Sequence, residues 1–217
     1  MSNPFAGKAV NKSGEAIEVP EPGTHPAALV ALVDLGTQQD DYQGETREAR
    51  KCLLVWELVT EKQSGGEWNH LVSREYTLSF HKKATLRQLA ESVRGKAYEE
   101  EEPIDYTKLL GVPCLVQVEV ARSSQGNEYA KVKGVSKPMR GQTAPKPLRG
   151  PFQWFVGEDP ATIPAWIPFV YGESPAKVVA RCQELRGRNT PSPSPSRNGQ
   201  VNQVRRESVA GQDEIPF

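Results

Sequence analysis

The chain lacks any apolar run near the roughly 20 residues that a membrane-spanning helix requires. Its opening, Met1-Ser2-Asn3-Pro4-Phe5, has neither the basic flank nor the apolar stretch of a secretory signal. A soluble, cytoplasmic protein without membrane contact is therefore expected. Cysteine is scarce: Cys52, Cys114 and Cys182 are odd in number and far apart, and two of them sit inside apolar runs. That pattern argues against a disulfide framework or a metal site and for reduced, buried thiols.

Catalytic patterns are missing as well. Only His25, His70 and His81 are available, no Cys-x-x-Cys occurs, and no Gly-x-x-x-x-Gly-Lys phosphate loop is present. Gly172-Glu173-Ser174 lacks the second half of a Gly-x-Ser-x-Gly elbow. No catalytic residue, metal or cofactor is expected, and the chain reads as a non-enzyme. Net charge is also absent, since 27 basic residues balance 27 acidic ones. Any electrostatic footprint must then come from local separation of charge. Hydrophobic residues are only 37% of the chain, so part of it is expected to stay outside a core.

What is present divides into five stretches. Residues 1–24 are polar and end in Pro20, Pro22 and Gly23, which suits a flexible arm. Residues 25–140 carry a strand pattern broken by one helix. Pro26 to Leu35 is a short apolar strand, followed by a polar stretch from Thr37 to Arg50 read as a long loop. Lys51 to Thr60 is a second strand, and Leu71 to Phe80 alternates as a third. Lys82 to Gly95 repeats Leu86, Leu89, Ala90 and Val93 at helical spacing. The acidic run Glu99-Glu100-Glu101-Glu102 reads as a solvated loop. Cys114 to Val120 and Tyr129 to Lys137 complete the strands, with Ala130, Val132 and Gly134 on one parity of the last and Tyr129, Lys131, Lys133, Val135 and Lys137 on the other.

Three strands, a helix and two strands resemble the oligonucleotide and oligosaccharide binding barrel, the OB-fold. That resemblance implies a mainly β, five-stranded barrel with its helix between strands three and four. It also implies a ligand path across strands two and three, between the 1-2 and 4-5 loops. Residues 141–186 are basic and aromatic, and end in a helix from Pro175 to Leu185. They read as an extension packed on the barrel, with an oligomer contact as the alternative role.

Residues 187–210, with Thr-Pro-Ser-Pro-Ser-Pro-Ser at 190–196, read as a disordered linker. Residues 211–217 finish in Asp213, Glu214, Ile215, Pro216 and Phe217. A disordered linker leading to acids and Ile-Pro-Phe resembles the C-terminal tip of bacterial single-stranded DNA-binding proteins. In that family the tip docks on replication, recombination and repair enzymes. The chemistry suits this: a ring for an apolar pocket, a proline that limits the entropy lost on binding, and carboxylates for a basic rim. The tip has two acids before Ile215, and the N-terminal half lacks the bacterial family's opening pattern. The resemblance therefore implies a divergent, phage- or plasmid-encoded relative, nucleoid-associated in the cytoplasm of a bacterium or a phage-infected host.

Between Lys131 and Gly150 there are six basic residues, Lys131, Lys133, Lys137, Arg140, Lys146 and Arg149, and no acid. A lysine stripe on the fifth strand that continues into a basic extension can follow a phosphate backbone. Sequence-tolerant binding also needs rings for bases. Trp68 and Tyr129 lie among polar neighbours, whereas Trp56 and Tyr76 share parity with core residues. Arg50, Arg74 and Arg122 are further candidates for a positive channel, as are Arg47, Lys82 and Lys83. The expectation is a protein that coats single-stranded DNA and recruits enzymes through its tip. The alternatives are a protein-protein adaptor that presents the tail without binding nucleic acid, and an RNA-binding barrel.

Overall fold

A computed structural model of the chain describes residues 18–42, 45–99, 101–123, 126–141 and 146–189. Its strands are β1 (Gly23–Tyr42), β2 (Glu45–Lys62), β3 (Asn69–Thr77), β4 (Pro113–Arg122), β5 (Glu128–Ser136) and β6 (Phe152–Trp154). The helices are α1 (Thr85–Arg94) and α2 (Pro175–Asn189). The fold is mainly β, with the sheet order β3-β2-β1-β4-β5 and every neighbouring pair antiparallel. α1 lies between β3 and β4 in the chain, as in an OB-fold-like barrel.

The length of β1 makes this order work. Gly23 to Ala28 pair with β4, while Ala27 to Tyr42 pair with β2 along the other edge. Where β4 ends, β6 takes over the same edge in parallel, opposite Ala31, Leu32 and Val33. The end strands β3 and β5 close on each other through a side chain: the Arg74 guanidinium donates to the carbonyls of Val132 (3.2 Å) and Lys133 (3.4 Å).

Two apolar layers explain why β1 and β2 read as continuous hydrophobic runs. Cys52, Leu54, Trp56 and Leu58 of β2 point into the barrel, where Trp56 meets Tyr76 edge-on at 6.5 Å. Leu53 and Val55 point outward, onto Trp154, Ile163, Ile167, Val170, Val178 and Val179 of the C-terminal extension. A strand buried on both faces shows no alternation. Each such Val, Leu or Ile contributes about 1.5–3 kcal/mol of burial.

Glu57, fully buried on the same outward parity, pins the extension down. Its carboxylate accepts from the backbone N–H groups of Leu148 (2.6 Å) and Arg149 (3.0 Å) and from Asn69 Nδ2 (2.6 Å), and the Arg149 guanidinium lies at 3.5 Å. A lone buried carboxylate would be strongly unfavourable; this one is hydrogen-bonded and charge-paired.

α1 buries Leu86, Leu89, Ala90 and Val93 at helical spacing and stops at Gly95, which adopts φ 75° and donates to Glu91 O at 2.8 Å. Gly36 is another position that demands glycine. It has φ 72°, and a Cβ there would collide with Cys182 Sγ of α2.

Several expectations are corrected. Thr37 to Arg50 is no long loop: the two strands run on as a paired ribbon, with Thr37 opposite Arg50 and Gln39 opposite Glu48. Backbone pairing needs no apolar period, so a polar ribbon beyond the core leaves no signal. α1 begins at Thr85, with Lys82 and Lys83 in the turn before it, where Ala84 N donates to His81 O. α2 runs four residues past the expected Leu185, to Asn189. In β5 the register shifts between Gln117↔Gly134 and Val118↔Val132, so Lys133 is an extra residue. Val132 and Val135 therefore both point inward, against the expected parity.

Candidate nucleic-acid interface

Covering the outer face of β2 moves the open surface to the seam between β3 and β5. A groove of about 880 Å³ lies there, and Glu18 to Pro20 and Pro168 to Tyr171 are part of its lining. Lys131 and Lys133 of β5 and Arg74 of β3 line it, together with three exposed rings, Tyr129 (44% exposed), Phe169 (71%) and Tyr171 (52%). The acids at the groove are engaged: Glu75 pairs with Lys51 at 3.4 Å and Glu18 with His70 at 3.4 Å. Lys133 reaches Glu119 at 3.2 Å, while Lys131 makes no ion pair with a described residue.

The loop that carries two of those rings is tightly built. Val170 N–H donates to Glu173 O (2.9 Å) and Glu173 N–H to Val170 O (3.0 Å), closing a two-residue turn. Its central residues, Tyr171 and Gly172, have φ 54° and 76°, the pattern of a type I′ turn. Asn-Gly is the ordinary occupant; a tyrosine in the left-handed region costs about 1–2 kcal/mol. The turn sets the half-exposed Tyr171 ring among the residues that line the groove.

The expected site residues separate into groups. Arg74, Tyr129, Lys131 and Lys133 come together in the seam groove. Trp68 does not join them. It lies beside a second groove, of about 740 Å³, with Trp166 and Phe152. Lys137 falls away from the stripe because the bulge turns the strand. Its backbone N donates to Ser92 O (3.2 Å) and its side chain lies against Gly95, at the C-terminal end of α1. That is the electrostatically favourable end of a helix for a cation.

Arg50 is a fork on buried Asp34, donating from Nε at 3.2 Å and from a second nitrogen. This bond raises its already high pKa. Arg122 pairs with Glu128 at 2.9 Å beside the β4-β5 turn, and Arg140 is exposed beyond β5. Neither lines the seam groove. Trp56 and Tyr76 pack the barrel, as their parity indicates. Arg149, the last member of the expected stripe, is held between rings and Glu57.

Phe169 and Tyr171 were not expected at a site; the sequence places them in an apolar stretch that reads as packing. The available signal was Tyr171-Gly172, a turn dipeptide inside that stretch. Asp213, Glu214, Ile215, Pro216 and Phe217, the linker from 190 onward and residues 1–17 lie outside the described residues.

Burial pushes the Cys52 and Cys114 thiols up to about 12, which keeps them protonated and unreactive. Among the described residues no cluster of His, Cys, Asp or Glu could hold a metal, and no helix is long and apolar enough to cross a membrane. No known family, curated protein or solved structure matches the chain.

Proposed function

We propose that this chain binds single-stranded DNA without sequence preference. The strand lies in the seam between β3 and β5, and the segment Asp213 to Phe217 serves as a tethered docking tip for DNA-processing enzymes. One observation carries the reading: an open groove on a barrel of OB-fold-like order gathers three cations, Arg74, Lys131 and Lys133, and three exposed rings, Tyr129, Phe169 and Tyr171. Cations that track phosphates beside rings that accept any base are the two requirements of sequence-tolerant strand binding. The acids that line the groove have partners of their own, Glu75 in Lys51 and Glu18 in His70, which leaves the cations to meet phosphate.

The test is a titration of the full chain with labelled oligo-dT and with duplex of equal length. Tighter binding of the single strand is expected, with log affinity falling against log salt by about 0.7 for each phosphate neutralised. A flat single-strand titration at low salt would refute the proposal. Capture of a replication or repair enzyme by a chain that ignores oligonucleotides would make it an adaptor instead.

A further inference from the structure

The second groove is built by the extension and not by the barrel alone. Trp68 stands just before β3, and the other walls are Leu148, Pro151, Phe152, Pro164 and Trp166. Arg149 organises it: its guanidinium lies 4.6 Å from the Trp68 ring centre and 5.6 Å from that of Trp166, and it also donates to Asn69 O at 3.3 Å. Phe152 meets Trp166 edge-on at 6.4 Å. The guanidinium is anchored by buried Glu57, so the rings are set before any ligand arrives. Yet Trp68 keeps 43% of its surface exposed, and Leu148 is exposed beside it.

The two grooves are lined by neighbouring stretches of the same two segments. Leu71 to Glu75 of β3 line the first and Trp68 the second; Pro168 to Tyr171 line the first, Pro164 and Trp166 the second. Between them lie Asn69, His70 and Ile167, all buried. From Leu71 back to Trp68 is three residues, about 10 Å of extended chain. A strand that left the seam along β3 would therefore meet Trp68 next.

We infer that the Trp68–Trp166 groove is a second base-stacking subsite for the same single strand, with a nucleobase on the exposed Trp68 ring and Arg149 supporting that ring from within. The inference rests on the proposed DNA-binding function, and it gives the extension a role in the site. It also makes the two grooves separable by light. Trp56 and Trp154 are 1% and 0% exposed, and the seam groove contains no tryptophan. A change in tryptophan emission therefore reports the second groove.

The experiment titrates the full chain with labelled oligo-dT of about 4 and about 16 nucleotides, the span of OB-fold site sizes. Label anisotropy reads binding, and tryptophan emission reads the second groove. The long oligomer is expected to bind and quench emission, and the short one to bind with little quenching. Trp68→Ala should weaken the long oligomer by about 5- to 150-fold, remove most of the quenching and leave the short oligomer unchanged. Trp68→Phe, which keeps a ring, should restore most of the affinity and guards against misfolding as the cause. Tyr129→Ala should weaken both lengths. Unchanged emission and unchanged long-oligomer affinity in Trp68→Ala would overturn the subsite while leaving strand binding intact. Binding of neither oligomer to the unaltered chain would overturn the DNA-binding proposal itself.

Discussion

Replacing Tyr171 by Asn separates a base platform from a packing residue. Tyr171 sits at φ 54°, where a bulky side chain costs about 1–2 kcal/mol and Asn is at ease. Its ring is 52% exposed, so about half of the 1.5–3 kcal/mol of full aromatic burial, roughly 1 kcal/mol, disappears with it. Relief and loss nearly cancel, and the unfolding free energy should stay within about 1 kcal/mol. For a chain of this size that is a melting shift below about 4 °C. Affinity is not protected in this way. Losing one stacked base costs about 1–3 kcal/mol, which raises Kd for oligo-dT by about 5- to 150-fold. Thermal unfolding and fluorescence anisotropy on the same preparation read both quantities. A variant that loses several kcal/mol of stability but binds DNA normally would refute the reasoning, because the ring would then be a strut.

Lys131→Ala should weaken oligo-dT binding and flatten the salt dependence by about 0.7 in log-log slope, whereas Lys137→Ala, beside α1, should change neither. Glu57→Ala should lower stability by about 3–5 kcal/mol in chemical denaturation, because it leaves the Arg149 guanidinium without its carboxylate and two backbone donors unsatisfied. Gly36→Ala should cost about 1–3 kcal/mol, from the positive φ and the approach to Cys182; Cys182→Ala should recover the steric share in a double-mutant cycle. Stability should also fall at alkaline pH. The Cys52 and Cys114 thiols rise from 9.0 to about 12 on burial, so the unfolded chain ionises first. Their contribution is complete below about pH 9 and is lost as pH climbs toward 12, by about 1.4 kcal/mol per pH unit for each thiol. Denaturation curves at pH 8 and pH 10 check the sign, and slow native-state alkylation of both thiols checks the burial.

Local chemistry was legible where it decides structure locally. The alternation of β3, the spacing of Leu86, Leu89, Ala90 and Val93, and the stop at Gly95 follow from side-chain period and backbone freedom, and they specify the element order from which the barrel type follows. Charge and neighbours single out Arg50, Trp68, Arg74, Arg122, Tyr129, Lys131, Lys133 and Arg140 alike, and the seam groove gathers Arg74, Tyr129, Lys131 and Lys133. Lys137 and Arg149 lie away from the seam groove for reasons no composition shows: a one-residue bulge at Lys133 turns one aside, and buried Glu57 holds the other.

By itself, then, the order of residues determined which segments extend, which one coils and where positive charge gathers along the chain, because these depend on contacts a few residues apart. Only the tertiary structure decided which face stays open. The outer side of β2 is closed by a segment about 90 residues later in the chain, through Glu57 and Leu148, and that closure moves the groove to the β3-β5 seam and turns Phe169 and Tyr171 outward. Burial depends on what arrives from far along the chain, and no local pattern can encode that arrival.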